Sequence, residues 1–145
     1  MTTAKKFFTA EEQQNIISAI EKAEMATSGE IRLHLENFCM GNELKVAAEI
    51  FKALGMHKTE EHNGVLIYIA TVSHKIAVIG DKGIHEKLGT EFWEHLVENL
   101  IQQFKARHPA EALVSCINEL GEQLSKYFPR KHNDRNELSN DISFS

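Results

Sequence analysis

The chain has only two cysteines, Cys39 and Cys116, in 145 residues. Seventy-seven positions apart, they match no zinc-type spacing and no disulfide framework, so both are expected to be reduced thiols of a cytoplasmic protein. No apolar run approaches the roughly 20 residues that cross a bilayer. The opening MTTAKKFFTAEEQQ lacks the apolar core of a secretory signal. A basic field is also missing. The net charge of −5 argues against nucleic acid or an anionic membrane surface as a general partner. GxSxG, the P-loop and GxGxxG do not occur. The eight histidines do not form a zinc pattern, because His57 and His62 lie on a loop and His85-Glu86 is not continued as a zincin helix.

What is present is organised around Asn63–Ile84, which holds two apolar, β-branched runs, Val65–Val72 and Lys75–Ile79. Only Ser73 and His74 separate them, too few residues for a parallel crossover, so the runs predict an antiparallel hairpin. Ser-His is a poor two-residue turn, and the loop is expected to borrow Val72 or Lys75. The first run, with Tyr68 as its one large polar side chain, reads as a central strand covered on both faces. The second ends in the polar, glycine-rich turn Gly80-Asp81-Lys82-Gly83.

Before the hairpin, Thr9-Ala10-Glu11-Glu12 is a capping box. It opens a helix with Ile16, Ile17, Ile20 and Ala23 on one stripe, stopping at Ser28-Gly29. Glu30–Glu36 follows, with Ile31, Leu33 and Leu35 alternating against Arg32, His34 and Glu36, the period of a strand with one polar face. Asn42 is placed to cap a second helix carrying Leu44, Ala47, Ala48, Phe51 and Leu54, closed by Gly55. After the hairpin come a short helical turn over 83–88, a helix from Thr90 to about Arg107, and a helix beginning at Pro109. Residues 130–145 are polar and aperiodic and read as a C-terminal tail to a single domain over 1–129.

Helix, strand, helix, hairpin and two further helices predict a small mixed sheet in an α/β fold with helices on both faces. If the first two strands run parallel and the third runs against them, Glu30, Asn63 and Asp81 share one rim of the sheet. Two carboxylates and an amide oxygen make a hard, oxygen-rich set suited to Ca²⁺ or Mg²⁺. This choice runs against the usual rule for open α/β sheets, which places ligands at the carboxyl ends of parallel strands. Each residue also has a plain structural use: Glu30 as a strand end, Asn63 in shaping the turn before Gly64, Asp81 as a helix cap.

The ordered set Phe7-Phe8, Ser28-Gly29-Glu30-Ile31, Leu54–Thr59, Asn63–Tyr68, Gly80–Ile84 and Phe92-Trp93, with Asn136–Leu138 and Asp141-Ile142 in the tail, resembles the TPM-domain family over nearly the whole chain. The resemblance is to short, single-domain bacterial members without signal peptide or anchor. It implies a three-layer α/β/α, Rossmann-like sandwich and divalent-metal binding. At the family's motif ends stand Glu30, Asn63 and Asp81. A plant thylakoid member is described as an acid phosphatase and a nematode member as a modulator of a membrane receptor. The resemblance thus implies three candidate roles: a Ca²⁺- or Mg²⁺-binding domain, a metal-assisted acid phosphatase on phosphorylated substrates, or a protein-interaction or stability factor. His57 or Lys58 would steady an anionic substrate in the second role. The stretch Asn133–Asn136 is less acidic than the corresponding tail of relatives, which weakens Asp134 as a metal ligand. A monomer is expected.

Overall fold

The structure, a computed structural model, describes residues 2–130 and 139–145. Its centre is the seven-residue strand β2 (Gly64–Ala70), buried at every position. β2 pairs in parallel with β1 (Glu30–Glu36) and antiparallel with β3 (Lys75–Gly80). The hairpin loop is 71–74, so the turn takes Thr71 and Val72 from the first run and leaves Lys75 in the second strand. His74 adopts a left-handed φ of 57° within it.

Alternation sorts the side chains of the sheet into two cores. Ile31, Leu33, Leu35, Val65, Ile67, Ile69, Ile76 and Val78 point to one face. That face is covered by α1 (Ala4–Phe7), α2 (Ala10–Glu24), α4 (Lys82–Leu88), α5 (Thr90–Lys105) and α6 (Pro109–Tyr127). Leu66, Tyr68, Ala70 and Ala77 point to the other, against α3 (Glu43–Ala53), Cys39 and Met56. The result is a three-layer α/β/α sandwich around an open mixed sheet. Among the described residues no helix is long and apolar enough to cross a membrane.

Local chemistry explains the element ends. Thr9 accepts from the Glu12 N–H at 3.0 Å while the Glu12 carboxylate accepts from the Thr9 N–H at 2.9 Å, the reciprocal cap expected of this sequence. Asn42 Oδ1 accepts from Leu44 and Lys45 and starts α3. Gly55 stops that helix region at φ 74°, a left-handed position that costs glycine little. Leu44 and Ala48, assigned to the buried stripe of α3, are instead exposed, Leu44 at 56 %.

Two features differ from expectation on the α3 side. Arg32, His34 and Glu36 do not form a solvated face: His34 is only 4 % exposed. The reason is a fourth strand. Ser143–Phe144 (β4), from the stretch assigned to the polar tail, pairs in parallel with β1, giving the order β3-β2-β1-β4. β1 therefore lies inside the sheet. His34 Nδ1 and Nε2 make hydrogen bonds with Ser143 Oγ (2.9 Å) and Ser145 Oγ (2.7 Å). The Ser145 hydroxyl also lies 2.8 Å from Glu36 Oε1, and the Tyr68 hydroxyl donates to Glu36 Oε2. Burial, reinforced by the Glu36 hydrogen bond, raises the Tyr68 pKa well above the ordinary phenol value. Burial lowers that of His34 from 6.5.

The sign of the His34 effect is fixed by that direction. A depressed pKa means the folded state holds the neutral ring, so the contribution is complete above the ordinary value of 6.5 and declines as pH falls through the folded-state value. His34→Gln is expected to flatten the fall in unfolding free energy as pH drops below about 6.5. Urea titrations of both proteins across that range check it, and equal slopes contradict it.

Candidate functional site at the sheet rim

The register puts Glu30 opposite Gly64 and Val65 opposite Gly80. The Asp81 N–H closes the ladder by donating to Gly64 O at 2.9 Å. Glu30, Asn63 and Asp81 therefore do stand at one rim, as strand direction requires.

Their side chains belong to three separate neighbourhoods. Glu30 is 3 % exposed, and its carboxyl meets the carboxyl of Glu24, the last residue of α2, itself 6 % exposed. Glu24 Oε2 accepts from the Ile31 N–H at 2.9 Å, and Arg130 Nη1 donates to the Glu24 carbonyl at 2.8 Å. Burial first, and the adjacent Glu30 charge in addition, raises the Glu24 pKa far above the carboxylate range. Asn63, 1 % exposed, donates from Nδ2 to Ser28 Oγ at 3.1 Å, and the Ser28 hydroxyl donates to the Glu61 carboxylate. Asp81 caps α4, accepting from the Lys82 N–H at 2.8 Å, and its other oxygen lies 3.4 Å from His62 Nδ1.

The turns that carry these groups are braced from behind. Ser28 N–H and the Thr27 hydroxyl donate to the Phe128 carbonyl, tying the turn between α2 and β1 to the end of α6. His62 holds a left-handed φ of 51° that turns the chain into Asn63. Gly83 allows the start of α4 to lie directly on the carbonyls of Glu61 and His62, where a Cβ would collide with backbone. Lys58 is exposed, whereas His57 Nδ1 is buried without a hydrogen-bond partner among the described residues.

The site is thus acidic and oxygen-rich. Among the described residues, though, no three of the His, Cys, Asp and Glu side chains gather closely enough to hold a metal ion by themselves. Asp134 lies outside the described residues. Sequence reasoning missed Glu24, Ser28 and Glu61. The signal for Glu24 was there: it sits eight residues after Ile16 and four after Ile20, on the buried stripe of α2, where a carboxylate is out of place. Ser28 and Glu61 carry no such mark, since a helix stop and a polar loop use these residues routinely.

The fold and the rim define a small α/β/α domain. A model of the TPM domain matches residues 1–123, and the chain belongs to the TPM-domain family. It is similar, at 40 % identity over 100 % of both chains and with a TM-score of 0.90, to the BA42 protein of the psychrophilic bacterium Bizionia argentinensis, solved by NMR. The N-terminal domain of cg2496 from Corynebacterium glutamicum shares the fold, with a TM-score of 0.64 and 12 % identity over 90 % of this chain and 85 % of that one. No curated protein matches the chain.

The carboxyl pair has a consequence for stability. Glutamine at position 24 keeps an acceptor for the Ile31 N–H and a donor toward Glu30, as the protonated acid has, but needs no proton taken up on folding. Glu24→Gln is expected to raise the unfolding free energy by about 1 kcal/mol near neutral pH in the presence of a chelator. Urea unfolding measures it, and a loss of stability of that size contradicts the reading.

Proposed function

We propose that the rim formed by Glu30, Asn63 and Asp81, with Glu24 and Glu61 beside them, binds a hard divalent cation, Ca²⁺ or Mg²⁺, in a monomeric, cytoplasmic domain. The observation that supports this best is the contact between two buried carboxyls, Glu24 and Glu30. Bringing two acids out of water against each other is unfavourable unless a proton or a cation lies between them. Apart from the His62 imidazole beside Asp81, the neighbouring groups offer oxygen: the Asn63 amide, the Ser28 hydroxyl and the Glu61 and Asp81 carboxylates. That chemistry fits Ca²⁺ or Mg²⁺ and not the softer metals that prefer thiolate and imidazole. Glu30 would be the ligand held most firmly, fixed by its strand; Asp81, now turned to His62 and the α4 cap, would have to swing toward it.

Ca²⁺ or Mg²⁺ is expected to raise the melting temperature by several degrees at an excess of roughly a hundredfold over Kd, the linkage effect of a ligand bound only by the folded state. Glu30→Gln and Asp81→Asn should each remove most of the increase. A ¹H–¹⁵N titration with Ca²⁺, Mg²⁺ and Zn²⁺ locates the site. No metal response in the unmodified protein, or shifts confined to other regions, rejects it.

The pairing of half-exposed His62 with Asp81 favours a second reading, metal-assisted hydrolysis of phosphate monoesters at acid pH. His62 would hold the proton destined for the leaving oxygen, with Asp81 fixing its ring. A bound cation would polarise the phosphoryl group. Aryl-phosphate hydrolysis at acid pH that falls in both His62→Ala and Asp81→Asn supports it; a rate indifferent to both belongs to a contaminant. A third role, as a protein-interaction or stability factor, would use surfaces away from this rim.

A further inference from the structure

A groove of about 710 Å³ runs along the open side of β3, and every residue from Ile76 to Gly80 lines it. Successive strand residues point to opposite faces, so a groove that touches five in a row follows the strand's edge and not one of its faces. Among the described residues β3 is an outer strand of the sheet, with β2 on one side only. Trp93, Val97 and Ile101 of α5 form one wall, and Leu44 at the start of α3 begins the other. At the Lys75 end the groove continues into a cavity of about 350 Å³ that reaches Phe104.

The backbone of this edge is available in register. Asp81 N–H bonds to Gly64 O, and in an antiparallel ladder bonded pairs alternate. Ile79, Ala77 and Lys75 therefore bond inward to β2, and the N–H and C=O groups of Ile76, Val78 and Gly80 point out into the groove. Protein edges of this kind are normally blunted by proline, a bulge or an overlying lysine. β3 has no proline, its pairing with β2 is continuous, and its lysine turns away: Lys75 Nζ donates to Gly41 O at 2.8 Å, beside Glu43. An apolar edge left open in this way is a template for another strand.

We propose that this groove takes up an extended segment of a partner protein, alternating apolar and basic residues, which adds to β3 as a further strand of the sheet. The three outward pairs of backbone groups would supply the hydrogen bonds, and the apolar walls would take alternate side chains. Charge decides the partner. Glu94 and Glu98 stand along the groove against Lys105, Glu43 stands beside Lys75 at its end, and the chain as a whole carries −5. A second copy pairing edge to edge would bring this acidic rim against its own image, whereas a basic segment meets opposite charge along its length.

The test uses ¹⁵N-labelled protein in EDTA, so that its outcome is independent of any cation at the rim. The probe is a blocked peptide of about nine residues alternating valine and lysine, added to about 1 mM. Binding is expected to shift the amides of Ile76, Val78 and Gly80 and the Trp93 indole more than other resonances, and to slow exchange of those three amides roughly tenfold. Proline at the centre of the peptide should abolish the effect. The exposed double variant E94K/E98K, whose unperturbed remaining spectrum reports an intact fold, should weaken binding roughly tenfold. No shift in β3, equal binding of the proline peptide, or a dimer that protects the same amides without peptide overturns the proposal.

Discussion

The central constraint is the direction of β2. A seven-residue strand buried on both faces and flanked by a parallel and an antiparallel neighbour fixes the ends of all three chains at once. Because β1 enters the sheet where β2 enters and β3 leaves, Glu30, Asn63 and Asp81 arrive at a common rim whatever their own side chains prefer. The burial that drives this is worth about 25 cal/mol per Å² of apolar surface, and it acts on the whole strand. The acids at its ends are carried along. This is how a fold comes to bury Glu30 at a position where solvent exposure would stabilise the charge.

Much of that frame was legible in the sequence. The hairpin, the capping box at Thr9, the caps at Asn42 and Asp81, and the strand Glu30–Glu36 follow from short-range rules that act on neighbouring residues. What escaped was long-range. Ser143–Phe144 is too short and too polar to announce a strand, and it becomes one because β1 offers it a partner some hundred residues away in the chain. The polar face of β1 is there as alternation implied, but alternation tells which side chains share a face, not what will cover them. At the rim, Glu24 broke the apolar stripe of its helix and could have been found. Ser28 and Glu61 could not, since their pairing depends on two turns meeting in space.

The two sides of the sheet divide the chemistry differently. One core is made almost wholly of aliphatic and aromatic contacts. The other mixes them with a hydrogen-bonded set, His34, Glu36, Tyr68, Ser143 and Ser145, held inside by packing. Buried Cys116 belongs to the first: its thiol, pushed up to about 12 by burial and then by the charge of Glu119, stays protonated and unreactive. Hydrophobic packing holds the domain together, and the polar groups it encloses give each region a distinct titration behaviour.

The outer position of β4 has a kinetic consequence. Two register positions, the Ser145 N–H bond to Leu35 O, a few hydroxyl contacts and the buried Ile142 side chain hold it, against the entropy of ordering a terminal segment. A border of this kind is expected to open at lower free energy than β2 and the helices packed on it. During folding it is the last piece to arrive, after the local hairpin has already formed. The sheet thus ends at β3 in a strand of the local hairpin and at β4 in a strand supplied by the far end of the chain.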